Sequence, residues 1–267
     1  MPDIETGFAD VNGTRLYYEV AGSGHALALL HGSSSDTRAW DDQFEILAQY
    51  FRVIRHDMRG HGKSALPTDK PYLHAEDLNA LLEHLFVQRA HVLGLSSGGG
   101  AVIDFALLHP RKTGALIPVS TGPAGFKRGS STREIDEAIR DAFQESGKRA
   151  ATELAYEHPV FKPSLQNPRS AARVRRSLDE ANFWRMGRHD PIRRTEPPQI
   201  ERLGEIGAPT MVVMGELDIP EMGPATDAIR DGVAGAKKVV MSGCGHMVNL
   251  EDPETFNRVV LDFLAGV

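Results

Sequence analysis

Short apolar runs rich in Val, Ile and Leu recur along the chain, each bounded by Gly or polar residues, at 27–30, 52–54, 91–95, 115–119, 210–214 and 238–241. Runs this short and uniformly apolar predict strands buried on both faces, as in a parallel sheet covered by helices. Residues 15–20 alternate more and predict an antiparallel strand near an edge. Helical patterns lie between the runs. Within 75–86, Leu78, Leu81, Leu82 and Leu85 form a single apolar stripe at helical spacing. Phe256, Val259, Val260, Phe263 and Leu264 repeat that stripe near the end, with Pro253 placed to open the helix. Strand and helix alternate from 27 to 116, which predicts right-handed βαβ units.

The alternation then breaks. Residues 122–205 separate two strand candidates and carry helical patterns at 133–145 and 171–183, punctuated by Pro159, Pro163, Pro168, Pro191, Pro197 and Pro198. That is far longer than an ordinary connection. The expected organisation is a core of residues 1–121 and 206–267, with a helical cap of residues 122–205 inserted between strands. A second independent domain fits less well, because the sheet pattern resumes at Thr210 and needs that strand.

Composition changes this picture little. The chain has 267 residues, 41% hydrophobic and 25% charged, with a formal net charge of −6 spread without long single-sign runs. A sizeable core is available, and nothing draws nucleic acid or an anionic membrane surface. The most basic stretch, 169–176, is interrupted by Ser, Ala and Val and reads as a solvated helix face. Cys244 is the only cysteine, so no intramolecular disulfide forms. The polar, acidic first residues have no secretory pattern and no run is apolar enough to span a bilayer, so a cytoplasmic location is expected.

The most informative stretch runs from His91 to Gly100. It is a strand, then Gly94-Leu-Ser96-Ser-Gly98, then a helical pattern carrying Ala101, Val102, Phe105 and Leu108. A nucleophile elbow requires this context. A sharp strand-to-helix turn lifts the Ser hydroxyl out at the carboxyl end of the sheet, and small residues two positions either side avoid collisions. Without that context the motif is equally a Ser/Gly turn. Ser97 is a rival nucleophile, but only the register centred on Ser96 has glycine at both flanking positions.

A Ser hydroxyl needs a base, and the base needs an orienting group. Among eleven histidines, His246 follows the last strand candidate in Gly243-Cys-Gly-His246 and precedes the last helix. His31 also lies at a strand end, and a structural role is expected for it. Glu216 and Asp218 both lie just past the strand at 210–214, and Asp218 sits further along the loop, where it can turn toward His246. No acid follows the preceding strand between Ala115 and Gly122. The order Ser96, Asp218, His246 is the one this arrangement requires.

Four motifs in order now resemble the α/β-hydrolase superfamily. They are His31-Gly32 after a strand, Asp57-Met-Arg-Gly-His-Gly-Lys-Ser64, Gly94-Leu-Ser-Ser-Gly98, and Gly245-His246 followed by Glu251, Pro253, Glu254 and Phe256. The likeness covers nearly the whole chain, with small bacterial 3-oxoadipate enol-lactonases and related esterases the most similar in general character. It implies an α/β fold with a mostly parallel central sheet flanked by helices. It also implies an oxyanion hole of two backbone N–H groups, one from Ser97 and one from Ser33, with Ser34 the fallback. The run 57–64 is structural in such proteins, with Arg59 and His61 bracing loops. Two departures stand out: Ser97 where many relatives carry a bulky residue, and Pro220 closer to Asp218 than usual. Cys244 reads as a packing residue.

The expected reaction is acyl transfer to water, with no metal or organic cofactor and a small carboxylic ester or lactone as substrate. Phe126, Phe143, Phe161, Phe183 and Trp184 are candidates for the pocket wall or for the cap's own core. The same triad also serves carbon–carbon bond hydrolases, amidases, cofactor-free haloperoxidases and lyases, so these alternatives stay open. A ligand receptor that retains the fold is the reading from another class. Oligomeric state is not legible.

Overall fold

The computed structural model describes residues 3–127, 129 and 131–267. Among them the strands are β1 (Ile4–Val11), β2 (Thr14–Ala21), β3 (Ala26–Leu30), β4 (Arg52–His56), β5 (Ala90–Leu95), β6 (Thr113–Val119), β7 (Met211–Gly215) and β8 (Lys237–Met241). They form one sheet in the order β1-β2-β4-β3-β5-β6-β7-β8. β1 and β2 run antiparallel at one edge, and β4 through β8 pair in parallel.

The inner strands read as solid apolar runs because both faces are covered. In β3, Ala26, Ala28 and Leu30 face one core cluster, while Leu27 and Leu29 face the other. β5 divides in the same way, Ala90 and Val92 against Leu93 and Leu95. Burying one such Leu stabilises the fold by about 2 kcal/mol.

The helices are α1 (Asp41–Leu47), α2 (His74–His84), α3 (Ser97–Leu108), α4 (Arg133–Ser146), α5 (Lys148–Ala155), α6 (Lys162–Gln166), α7 (Ala171–Glu180), α8 (Trp184–Gly187), α9 (Gln199–Arg202), α10 (Met222–Gly232), α11 (Val248–Glu251) and α12 (Pro253–Leu264). Leu78, Leu81 and Leu82 of α2 pack into the first cluster with Val102 and Phe105 of α3. Trp40, Phe44, Phe256 and Val260 pack into the second, from the α1 and α12 side. Asp252 caps α12 by accepting the N–H of Thr255 at 3.2 Å, and Pro253 occupies its first turn.

Between β6 and β7, helices α4 to α8 pack mainly on one another, while α9 packs on α3 and α10. Several side chains fasten this segment to the sheet-bearing part. Ser177 Oγ donates to Ser34 O at 2.7 Å, Asn182 Nδ2 to Gly60 O at 2.9 Å, and Tyr72 Oη to Asp190 Oδ1 at 2.9 Å. Arg173 pairs with Asp42, and Arg169 with Glu254. The stretch read as a solvated basic face therefore also reaches across to acids of α1 and α12.

The pattern of hydrophobic residues misses β1. Ile4 and Phe8 are exposed and only Ala9 is fully buried, so the strand's scattered apolar residues form no run that marks it. The usable signal was Asn12-Gly13, whose positive φ values of 47° and 68° form the tight turn to β2. Among the described residues, no helix is long and apolar enough to cross a membrane.

Candidate active site

Ser96, Ser33, Asp218 and His246 all lie past the carboxyl ends of strands, where open α/β sheets bind ligands. Ser96 joins β5 directly to α3, with φ 54° and ψ −113°, a region that non-glycine residues avoid. The surroundings hold it there. Ser96 N donates to Val119 O at 2.8 Å, and Gly100 N donates to Ser96 O at 3.1 Å. A Cβ on Gly94 would collide with the backbone of Gly98, and one on Gly98 with the carbonyls of Leu30 and His31. The spacing of the two glycines is therefore a steric requirement of the elbow.

Ser97 is the first residue of α3, so its N–H has no acceptor within the helix. The loop after β3 is fixed by His31. Its Nε2 accepts the N–H of Met58 at 2.9 Å, which leaves Nδ1–H to donate to Gly32 O at 2.7 Å. Ser35 N donates to the same oxygen at 3.2 Å. Because a trans peptide is planar, holding the Gly32 carbonyl aims the Ser33 N–H the opposite way. Burial lowers the pKa of His31 and keeps it neutral in this role.

Asp218 and His246 come together. Nδ1 of His246 lies 2.9 Å from each carboxylate oxygen of Asp218, both side chains being almost fully buried. That contact places the imidazole proton on Nδ1 and leaves Nε2 free to accept. Ile219 N donates to Asp218 Oδ1 at 2.8 Å. Glu216 turns elsewhere, accepting Ser242 Oγ at 2.7 Å and Gly243 N at 2.9 Å. Cys244 is buried, and burial pushes its thiol up to about 11, so it remains protonated.

Ser33, Ser96, Ser97 and His246 line one cavity of about 830 Å³. Phe126, Phe161, Phe183, Met186, Ile139 and Leu178 supply apolar wall, and Asp104, Asp136, His158 and Arg185 supply polar wall. Phe143 stands behind this wall, packed against Phe183 at 6.2 Å between ring centroids. Trp184 lines a neighbouring hollow of about 650 Å³ that shares Ser33, Ser34 and Ser35 with the first.

The run 57–64 is a brace. Asp57 accepts the N–H groups of Thr37 and Lys63 at 2.7 Å each, and Arg59 pairs with buried Asp77 at 2.6 Å. Sequence reasoning passed over the roles of Glu251 and Ser164, although Glu251 stood in the motif after His246. The carboxylate of Glu251 accepts the N–H groups of Gly245 and Met247.

Residues 27–259 match the model of the alpha/beta hydrolase family. The chain belongs to that family. A 2-hydroxy-6-oxononadienedioate/2-hydroxy-6-oxononatrienedioate hydrolase of Paraburkholderia xenovorans is 29% identical over 266 residues, covering 94% of this chain and 91% of the relative. Among solved structures, Est816, described as an N-acyl homoserine lactone degrading enzyme, superposes with a TM-score of 0.77 at 27% identity, over 96% of this chain and all of that one. The enol-lactonase of Burkholderia xenovorans shares the fold, with a TM-score of 0.81 at 24% identity over 97% of this chain and all of that one. This fold is the mostly parallel, helix-flanked sheet expected from the sequence.

Proposed function

We propose that the chain is a serine hydrolase that attacks the carbonyl carbon of a small ester or lactone. The observation that carries this reading is the pairing of buried Asp218 with His246, which lines the same cavity as a Ser96 held at positive φ. Ser96 Oγ adds to the carbonyl while Nε2 of His246 takes its proton, and Asp218 stabilises the imidazolium through Nδ1. The N–H groups of Ser33 and Ser97 receive the oxyanion, each contributing on the order of 3 kcal/mol to the transition state. The tetrahedral adduct collapses, His246 protonates the departing oxygen, and an acyl group remains on Ser96. Water, deprotonated by His246, then releases the carboxylic acid and restores the hydroxyl. The apolar part of the wall suits the chain of an acyl group, and Arg185, Arg193 and Arg194 add cationic groups elsewhere in the lining. Helices α4 to α8 act as the cap that selects it.

A second reading follows from the sequence relatives. A 2-hydroxy-6-oxo dienedioate carries a ketone at C6 and no ester, so its hydrolysis breaks the carbon–carbon bond beside that ketone. The same triad would do so if the departing carbon, rather than an oxygen, took the proton. The test is parallel turnover of an aryl ester, an acyl lactone and a 2-hydroxy-6-oxo dienoate. Turnover of the first two, abolished in Ser96→Ala, supports the proposal. Turnover of the dienoate alone replaces it with the second reading. A chain that binds such compounds without turning any over, and that a fluorophosphonate does not label, would be a receptor.

A further inference from the structure

Glu251 lies at the end of α11, 3% exposed, and every hydrogen bond its carboxylate makes bears on the loop of His246 or on the cap. Oε2 accepts the N–H of Gly245 at 2.6 Å, and Oε1 accepts the N–H of Met247 at 3.1 Å. These are the residues immediately before and after His246. Oε1 also takes the hydroxyl of Ser164, a fully buried residue of α6, at 2.6 Å. The same contact is reinforced from both sides. Asn167 Nδ2 donates to Glu251 O at 3.2 Å, and Ser170 Oγ donates to Ser164 O at 2.7 Å. Pro163 packs so closely on Gly245 that a Cβ there would collide with its ring. Just upstream of α6, His158, Val160 and Phe161 form part of the cavity wall.

We infer that Glu251 is a positioning residue that ties the seating of the cap to the placement of His246. The charge is held in a buried site by three donors, two of them backbone groups of the histidine loop. A carboxylate can accept all three, because each oxygen has two acceptor sites and neither carries a proton. An amide cannot, since one end donates and would face an N–H. Pressure on Phe161 or His158 from a bound substrate is carried through α6 to Ser164, and from there to the peptides on either side of the base. Cap and base thus move as one unit.

This inference rests on His246 being the base, and its test separates the two. The rate of Ser96 modification by a fluorophosphonate is measured at saturation, giving a maximal rate and a half-saturation constant. The proteins compared are the parent, His246→Ala, Glu251→Gln, Ser164→Ala and the Glu251→Gln/Ser164→Ala pair. Glu251→Gln should lower the maximal rate by about tenfold or more, the loss expected for a charge-assisted hydrogen bond, with half-saturation nearly unchanged. Ser164→Ala should lower it by several fold, and should add little in the Glu251→Gln background, because both act on one network. A purely structural role would lower the melting temperature while each folded molecule reacted at the parental rate. That outcome overturns the inference, as do losses that multiply in the pair. If Glu251→Gln does not fold, Ser164→Ala decides alone: a parental maximal rate sinks the inference and a selective loss supports it. Unchanged labelling in His246→Ala would instead remove the base assignment beneath it.

Discussion

Both carboxylate oxygens of Asp218 lie 2.9 Å from Nδ1 of His246, while Glu216, two residues earlier on the same loop, binds Ser242 and the Gly243 amide on the outer side. Asp218→Asn keeps the shape but presents an amide to Nδ1, favouring the wrong imidazole tautomer. Turnover should fall by about 10⁴-fold. Glu216→Gln leaves the contact intact and should change turnover by less than about threefold, as exposed polar groups usually do. Steady-state kinetics on a short aryl ester compares them, and a reversed ranking would move the orienting role to Glu216.

Ser96→Ala should abolish both turnover and fluorophosphonate labelling in a folded protein. Ser97→Ala should retain most of the activity, because its contribution is a backbone N–H that alanine also carries. Labelling found on Ser97 would shift the elbow register by one residue.

Gly98→Ala tests the elbow from the steric side. Its Cβ would press on the carbonyls of Leu30 and His31, backbone atoms of the loop that presents Ser33. The neighbour is main chain and cannot rotate away, so the loop itself must shift. Denaturant unfolding should show a loss of at least about 2 kcal/mol, and labelling of the remaining folded protein should slow. Parental stability with parental labelling would refute this account of the glycine.

Stability should fall below neutral pH through buried histidines. Burial holds His56 down to about 3 and lowers His31, His61 and His74, below an unfolded value near 6.5. As pH drops through 6.5 the unfolded chain takes up these protons and the folded chain does not. The stability is complete above 6.5 and is lost as pH falls toward the folded values, by about 1.4 kcal/mol per pH unit for each such group. Urea unfolding at pH 7, 6 and 5 measures the slope. Among the described residues, neither ring nitrogen of His56 has a hydrogen-bond partner, so His56→Leu should flatten the slope by about one proton. A parent equally stable at pH 7 and 5 contradicts this.

Substrate ranking should follow the cavity wall. Phe161→Ala and Phe183→Ala enlarge the cavity and should favour longer acyl chains, whereas Phe143→Ala, one layer back, should disturb the ranking less. A panel of acyl lengths run on the three variants decides. An equal effect from all three would mean that the cap acts through general loosening.

These contrasts show what the chain made legible. The inner strands stand out because helices cover both faces, which forces unbroken apolar runs such as Ala26 to Leu30. β1 does not, because only Ala9 is buried and Val11 packs at the margin of the core, while Ile4 and Phe8 are exposed, so its apolar residues form no run. Ser96 joins a strand directly to a helix, and Asp218 and His246 each sit on a short loop past a strand, so chain order alone restricts which sheet end they occupy. The cavity wall is another matter. Which of Phe126, Phe143, Phe161, Phe183 and Trp184 reaches it depends on how short helices pack in three dimensions, and no periodicity records that. Glu251 was visible as a motif letter, but its partner Ser164 lies 87 residues upstream, and only folding brings them together.

The peptide between Gly32 and Ser33 has a further consequence. Its carbonyl is already held by a neutral, buried imidazole and a turn amide, so its N–H keeps one direction whether or not the cavity is filled. A tetrahedral mimic such as a boronic acid would then meet a receptor that needs no rearrangement on that side. Its association should be a single exponential whose rate grows linearly with concentration, without the plateau of a slow isomerisation.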